Sequence, residues 1–203
     1  MATKQKRSKI VLLGEPSVGK SSIARRLVKN EYSDNYESTI GAAYFTLKFN
    51  DIYNNEILFD VWDTAGQERY MSLSPMYYRN ANVALLVFDC TNFEGLDRLV
   101  TYLEYFVKEN MQNISCIIIG NKTDLIDKYQ LEKKMHIITD KFEQFNQNFK
   151  VKLEYIFVSA KDNQGIKELK DTIIKSYNEI NKDVMDSIQL MTDESKPTSN
   201  CTC

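Results

Sequence analysis

Residues 14–21 read Gly-Glu-Pro-Ser-Val-Gly-Lys-Ser, an octet that fits G-x-x-x-x-G-K-[ST]. The apolar run Ile10-Val11-Leu12-Leu13 precedes it and a helical pattern follows. Strand, tight loop and helix start form the context in which backbone N–H groups and a helix N-terminus surround phosphates. Lys20 would reach the β- and γ-phosphates, and the Ser21 hydroxyl would ligate Mg2+. A Gly-containing turn leading into a helix fits the octet alone, so the rest of the chain has to decide.

The 203 residues suggest one domain plus a tail and are enough to bury a substantial core. Lys and Arg total 26 against 28 Asp and Glu, so nothing global argues for nucleic acid. Lys4, Lys6, Arg7 and Lys9 cluster at the start, and residues 1–8 read as a solvated, flexible arm. No run approaches the roughly 18 apolar residues of a membrane span, and no signal-peptide h-region is present. A cytosolic protein is expected. The matches to N-x-[ST] at Asn113, Asn121 and Asn200 are then not glycosylation sites. Cys90 and Cys116 lie in apolar runs and read as core thiols. Cys201 and Cys203 end a polar tail instead.

Strands are expected at 9–13, 43–49, 56–62, 83–88, 114–119 and 155–158, with helices at 20–30, 93–110, 128–149 and 164–180. Residues 31–42 read as a loop, and 67–79 as a loop with a short helix. Turn residues at 51–55 make 43–49 and 56–62 an antiparallel hairpin. The alternation implies an α/β sheet, mostly parallel, with helices on both faces. Ligands bind at the carboxyl ends of such strands, where the octet sits. Apolar periodicity fades beyond 180. Residues 181–203 therefore read as a disordered tail after a domain spanning 9–180.

Asp63-Thr-Ala-Gly66-Gln67 follows the second hairpin strand. An Asp at a strand end beside a phosphate loop can hold Mg2+, directly or through water. Gly66 lets the backbone approach a γ-phosphate, and Gln67 could orient an attacking water. Asn121-Lys122-Thr123-Asp124 and Ser159-Ala160-Lys161 follow two further strands and share their edge with Gly14. An Asp carboxylate accepts two N–H bonds from guanine but meets a lone pair on adenine, a strong basis for discrimination.

GEPSVGKS, Thr39, DTAGQE, NKTD and SAK, in this order, resemble the signature of Ras-like small GTPases over roughly residues 8–180. Trp62 to Tyr70, Tyr77-Tyr78-Arg79 and the Cys-x-Cys ending resemble the Rab family. Glu37 to Ala43 resembles its early-endosomal subgroup most. The resemblance implies a three-layer P-loop GTPase fold with a six-stranded, mostly parallel sheet and one antiparallel edge strand. It places Ser21, Thr39 and Asp63 around Mg2+, with Asp63 acting through water. Lys20 and Gly66 would hold the β/γ-phosphates. Glu15, Pro16, Ser17, Val18, Gly19 and Ser22 would complete the phosphate loop, which Asn121 would support. Lys122 would pack over the base, Asp124 would read its edge, and the Ala160 N–H would meet its carbonyl oxygen. Leu125, Ser159 and Lys161 flank that pocket. Tyr32 falls where the family has an aromatic over the base, and Tyr36 where it has a phosphate lid. Gln67 would be catalytic, and Cys201 and Cys203 would carry geranylgeranyl groups.

The implied function is a monomeric GTP/GDP switch in vesicle trafficking, slow to hydrolyse GTP without an activating protein. It would sit on the cytoplasmic face of endosomal membranes and exchange with the cytosol. Its partners would be an exchange factor, a GTPase-activating protein, a GDP-dissociation inhibitor and effectors. Pro16 stands where many relatives have Gly or Ser and removes one N–H, which bears on the intrinsic hydrolysis rate. Tyr44, Trp62 and Tyr77 match the family's surface aromatic triad, although the first is usually Phe. The segment from Asp124 to Ser159 is longer than usual, and Phe142, Phe145 and Phe149 form a core-facing stripe on its helix. His136, the single histidine, reads as a surface or capping residue. A hydrolysis-deficient guanine-nucleotide-binding scaffold is the alternative. An ATP-using P-loop enzyme conflicts with Asn121-Lys122-x-Asp124.

Overall fold

The computed structural model describes residues 6–35, 37–50, 55–66, 74–110, 114–149 and 151–194. In chain order the elements are β1 (Lys6–Leu13), α1 (Lys20–Lys29), β2 (Ala42–Asn50), β3 (Glu56–Thr64), α2 (Ser74–Tyr78) and β4 (Val83–Asp89). Then come α3 (Leu96–Asn110), β5 (Ser115–Asn121), α4 (Lys128–Phe149), β6 (Lys152–Phe157) and α5 (Ile166–Glu194). The six strands form one sheet in the order β2-β3-β1-β4-β5-β6. Only β2 and β3 pair antiparallel, with Tyr44 opposite Trp62.

Side chains alternate across β1 and so feed two cores. Ile10 and Leu12 join Ile23 and Leu27 of α1 and Leu169, Ile173 and Tyr177 of α5. Val11 and Leu13 face the opposite way, with Leu99, Leu103 and Phe106 of α3 and Ile138 and Phe142 of α4. All of β5 is buried, and so is β4 up to Phe88, as expected of parallel strands covered on both faces. Cys90 and Cys116 are buried core thiols, and His136 is exposed. Phe142 and Phe145 are buried, and the Phe145 and Phe149 rings stack 4.5 Å apart.

Both ends of the domain differ from the sequence expectation. The first strand begins at Lys6, so residues 6–8 belong to the sheet rather than to an arm. Ladder pairing of Arg7 with Leu58 is invisible to local charge pattern, and the Arg7 guanidinium bonds both carboxylate oxygens of Asp60. The last helix runs through Glu194, beyond the limit of 180 set by fading periodicity. Apolar residues still recur at helical spacing there (Ile180, Val184, Ile188, Met191), and no proline intervenes before Pro197. Among the described residues, no helix is long and apolar enough to cross a membrane.

Strands β1, β3, β4, β5 and β6 are mutually parallel, so their carboxyl ends share one edge. From β1 the chain goes first to β2 and β3 on one side and then to β4 on the other. The loop after Leu13 lies at this switch point.

Candidate functional site

The loop after β1 wraps its own lysine. Lys20 is buried, and its Nζ donates to the carbonyl oxygens of Gly14 and Glu15, both at 2.8 Å. Burial pulls its pKa down to about 8, against the opposing pull of Asp63 and Glu15. Gly19 precedes α1 with φ 97, and a Cβ there would lie 2.2 Å from Asn121 Nδ2. Gly66 presses on the same loop. A Cβ on it would come within 2.5 Å of Glu15, Pro16 and Lys20 Nζ. Only glycine permits this approach.

Ser21, Thr39 and Asp63 converge from α1, the 31–41 loop and β3. The Ser21 and Thr39 hydroxyls are 2.8 Å apart, and Thr39 makes a long 3.5 Å contact to Asp63 Oδ2. Asp63 is 1% exposed, and its Oδ1 is buried without a hydrogen-bond partner in the protein. Burial raises its carboxyl above the usual range, against the contacts from Ser21, Lys20 and Thr39. Hydroxyl oxygens and one carboxylate are hard donors that suit Mg2+, which takes few protein ligands and completes its shell with phosphate and water.

The other end of the cleft is built by cross-loop hydrogen bonds. Asn121 Nδ2 donates to Val18 O at 2.8 Å, and Asn121 Oδ1 accepts from the Ala160 N–H at 3.2 Å. Ser159 Oγ donates to Asp124 Oδ1 at 2.7 Å and so fixes the carboxylate. The Lys122 backbone is left-handed at φ 67, and its ammonium pairs with Asp89 at 2.6 Å. Burial pushes the Asp89 carboxyl up, but Lys122 and Thr91 outweigh it and hold it below the usual range.

One cleft of about 450 Å³ runs between these ends. Pro16, Ser17, Gly19, Lys20, Ser21, Ser22, Tyr32, Thr39, Gly66, Asn121, Lys122, Asp124, Leu125, Ala160 and Lys161 line it. Glu15 and Val18 instead line a second cleft behind the loop, and Ser159 is fully buried behind Asp124. Tyr36, Gln67, Cys201 and Cys203 lie outside the described residues.

Arg26 escaped the sequence reading. Its guanidinium donates to Ala160 O at 2.7 Å and Lys161 O at 2.8 Å, and it lies 5.6 Å from the centre of the Tyr32 ring. It thus joins α1 to the 160–161 loop and to the start of the 31–41 segment. The Arg98–Glu15 pair was also missed. No local pattern marks partners so far apart in sequence.

The Ras family matches residues 9–179. The chain belongs to the Ras family. Ras-related protein Rab5 of Nicotiana tabacum is 46% identical over 121 residues, 60% of each chain. GTP-binding protein ypt5 of Schizosaccharomyces pombe is 43% identical over 126 residues, 62% of this chain and 60% of that protein. GTP-binding protein YPT52 of Saccharomyces cerevisiae is 36% identical over 197 residues, 86% of this chain and 83% of that protein. The matched segment thus spans three fifths of the first two relatives' own length and most of the third's.

Proposed function

We propose that this chain is a Rab-type GTP/GDP switch that hydrolyses GTP and regulates vesicle trafficking at early-endosomal membranes. The observation that carries this is the two-ended cleft. Buried Lys20 with Ser21, Thr39 and Asp63 forms one end, and Asp124 held by Ser159 forms the other. Such a site suits a ligand with phosphates at one end and a guanine edge at the other. The relatives, whose names read Rab5, ypt5 and YPT52, support the Rab assignment.

In this reading Asp124 accepts the N–H groups of the base and Lys122 covers its face. The Ala160 N–H is held at its place by Asn121. Lys20 exchanges its two carbonyl partners for phosphate oxygens and meets the charge that develops as the γ-phosphoryl leaves. Ser21, Thr39 and Asp63 would hold Mg2+, which supplies further charge neutralisation on the phosphates. Gln67 orients the attacking water. Thr39 and Gly66 sense the γ-phosphate, so segments 31–42 and 63–79 order with GTP and release after hydrolysis. Turnover is slow without a GTPase-activating protein. An exchange factor, a GDP-dissociation inhibitor and effectors complete the cycle, and two prenyl chains on Cys201 and Cys203 anchor the monomer.

The test is to extract the nucleotide from purified protein, identify it, and repeat after incubation with Mg-GTP. Guanine nucleotide with turnover to GDP is expected. Guanine nucleotide without turnover, even with an activating protein, would leave a binding-only scaffold. Adenine nucleotide would remove the reading altogether.

A further inference from the structure

The crown of the phosphate loop is strained and lightly tethered. Ser17 is a non-glycine residue in the left-handed region at φ 61. Pro16 has no N–H to anchor, and the residue before a proline is sterically restricted. Such a backbone persists only where its surroundings hold it. On one flank the Asn121 side chain holds Val18 O. On the other flank stands Glu15, whose main-chain oxygen accepts from Lys20 and whose carboxylate accepts from Arg98 of α3 at 2.7 Å.

The Glu15 side chain is only 19% exposed, and its second oxygen, Oε1, is buried without a hydrogen-bond partner. Arg98 supplies the one ion pair that the structure gives this carboxylate among the described residues. The methylene stem of Glu15 packs so close to Gly95 that a Cβ there would lie 3.1 Å from Glu15 Cγ. The pair therefore bridges the second cleft, from α3 to the loop that must receive phosphates. Arg98 itself is 69% exposed, so the pair adds little to global stability. Its effect is local, on the geometry and the charge of the crown.

We propose that Arg98 is a positioning residue for nucleotide binding. It fixes the crown of the phosphate loop through Glu15 and neutralises a carboxylate beside the phosphate site. The proposal rests on the guanine-nucleotide reading above. Its test uses the full chain loaded with the fluorescent analogue mant-GDP and chased with excess GTP in the presence of Mg2+. Arg98→Ala should release the analogue about three- to tenfold faster, the range for loss of a partly buried charged partner. Arg98→Lys should recover part of the difference. Adding Glu15→Gln to Arg98→Ala should slow release again, because no unpaired carboxylate then remains. A mere loss of packing in α3 would not be repaired by a change in the loop. Release from Arg98→Ala at the wild-type rate would overturn the proposal, as would a double variant no slower than Arg98→Ala. A wild-type chain that binds no mant-GDP would instead overturn the nucleotide reading on which it stands.

Discussion

The side-chain amide of Asn121 donates to the main-chain oxygen of Val18 at 2.8 Å, so the end of β5 holds the phosphate loop. The same side chain accepts the Ala160 N–H, and all three residues are buried. Asn121→Ala would leave the Val18 carbonyl and the Ala160 N–H unpaired, at about 1–3 kcal/mol each. Guanine-nucleotide release should accelerate by about 30-fold or more, read from mant-GDP dissociation. An unchanged rate would mean that the two loops are held by other contacts.

Gly66 can lie against Glu15, Pro16 and Lys20 only because it lacks a side chain. Gly66→Ala should weaken binding of a non-hydrolysable GTP analogue by about tenfold or more while sparing GDP, since in the proposed switch that approach serves the γ-phosphate. Titration calorimetry with both ligands measures the ratio. Equal losses for GTP analogue and GDP would place the damage in the phosphate loop generally, not at a γ-phosphate sensor.

The motifs at 14–21, 63–66, 121–124 and 159–161 were legible because each follows an apolar strand, and a parallel sheet gathers such strand ends on one edge. Buried strands such as Ile117 to Ile119 are read from composition, and the α4 stripe of Phe142 and Phe145 from spacing. What escaped were long-range pairings. Arg7 with Asp60, Arg26 with Ala160 and Arg98 with Glu15 join residues distant in sequence, and any surface helix or strand carries similar charges. The end of α5 escaped because apolar residues spaced among polar ones read as a tail when no core is in view.

Tyr44 replaces the phenylalanine expected in the aromatic triad, and its hydroxyl has a use. It donates to Asp60 Oδ1 at 2.6 Å and accepts from Arg7 at 3.2 Å, while its ring meets Trp62 edge-on at 5.5 Å. The hydrogen bond from Arg7 is the main cause that holds the Asp60 carboxyl below 3.8, its ordinary value. A depressed carboxylate stabilises the fold above its unfolded pKa, and the contribution is lost as pH falls through the folded value. Arg7→Ala should therefore return the Asp60 titration towards 3.8. The small stability difference from wild type should persist down to about pH 4 and vanish below it. NMR titration and urea unfolding at pH 3 and pH 6 check this. A difference that survives undiminished at pH 3 would assign it to packing.

The segment from Asn181 on, the last turns of α5 included, carries Lys182 and Lys196 against Asp183, Asp186, Asp193 and Glu194, so electrostatics cannot hold it on an anionic leaflet. One lipid chain gives marginal binding, whereas two give stable anchoring. Removal of Cys201-Thr202-Cys203 should leave the protein cytosolic with its nucleotide affinity intact. Fractionation of cells that express the truncated chain decides this, and membrane association at the wild-type level would place the anchor elsewhere.

In the proposed switch Asp124 reads a guanine edge. An amide in its place presents a donor where xanthine, unlike guanine, offers a carbonyl. Competition of GTP, ATP and XTP against mant-GDP on the wild-type chain and on Asp124→Asn tests it most directly. The wild type should be displaced by GTP and not by ATP, and Asp124→Asn should prefer XTP to GTP. Displacement of the wild type by ATP, or an unaltered preference in Asp124→Asn, would mean that Asp124 does not read a guanine edge.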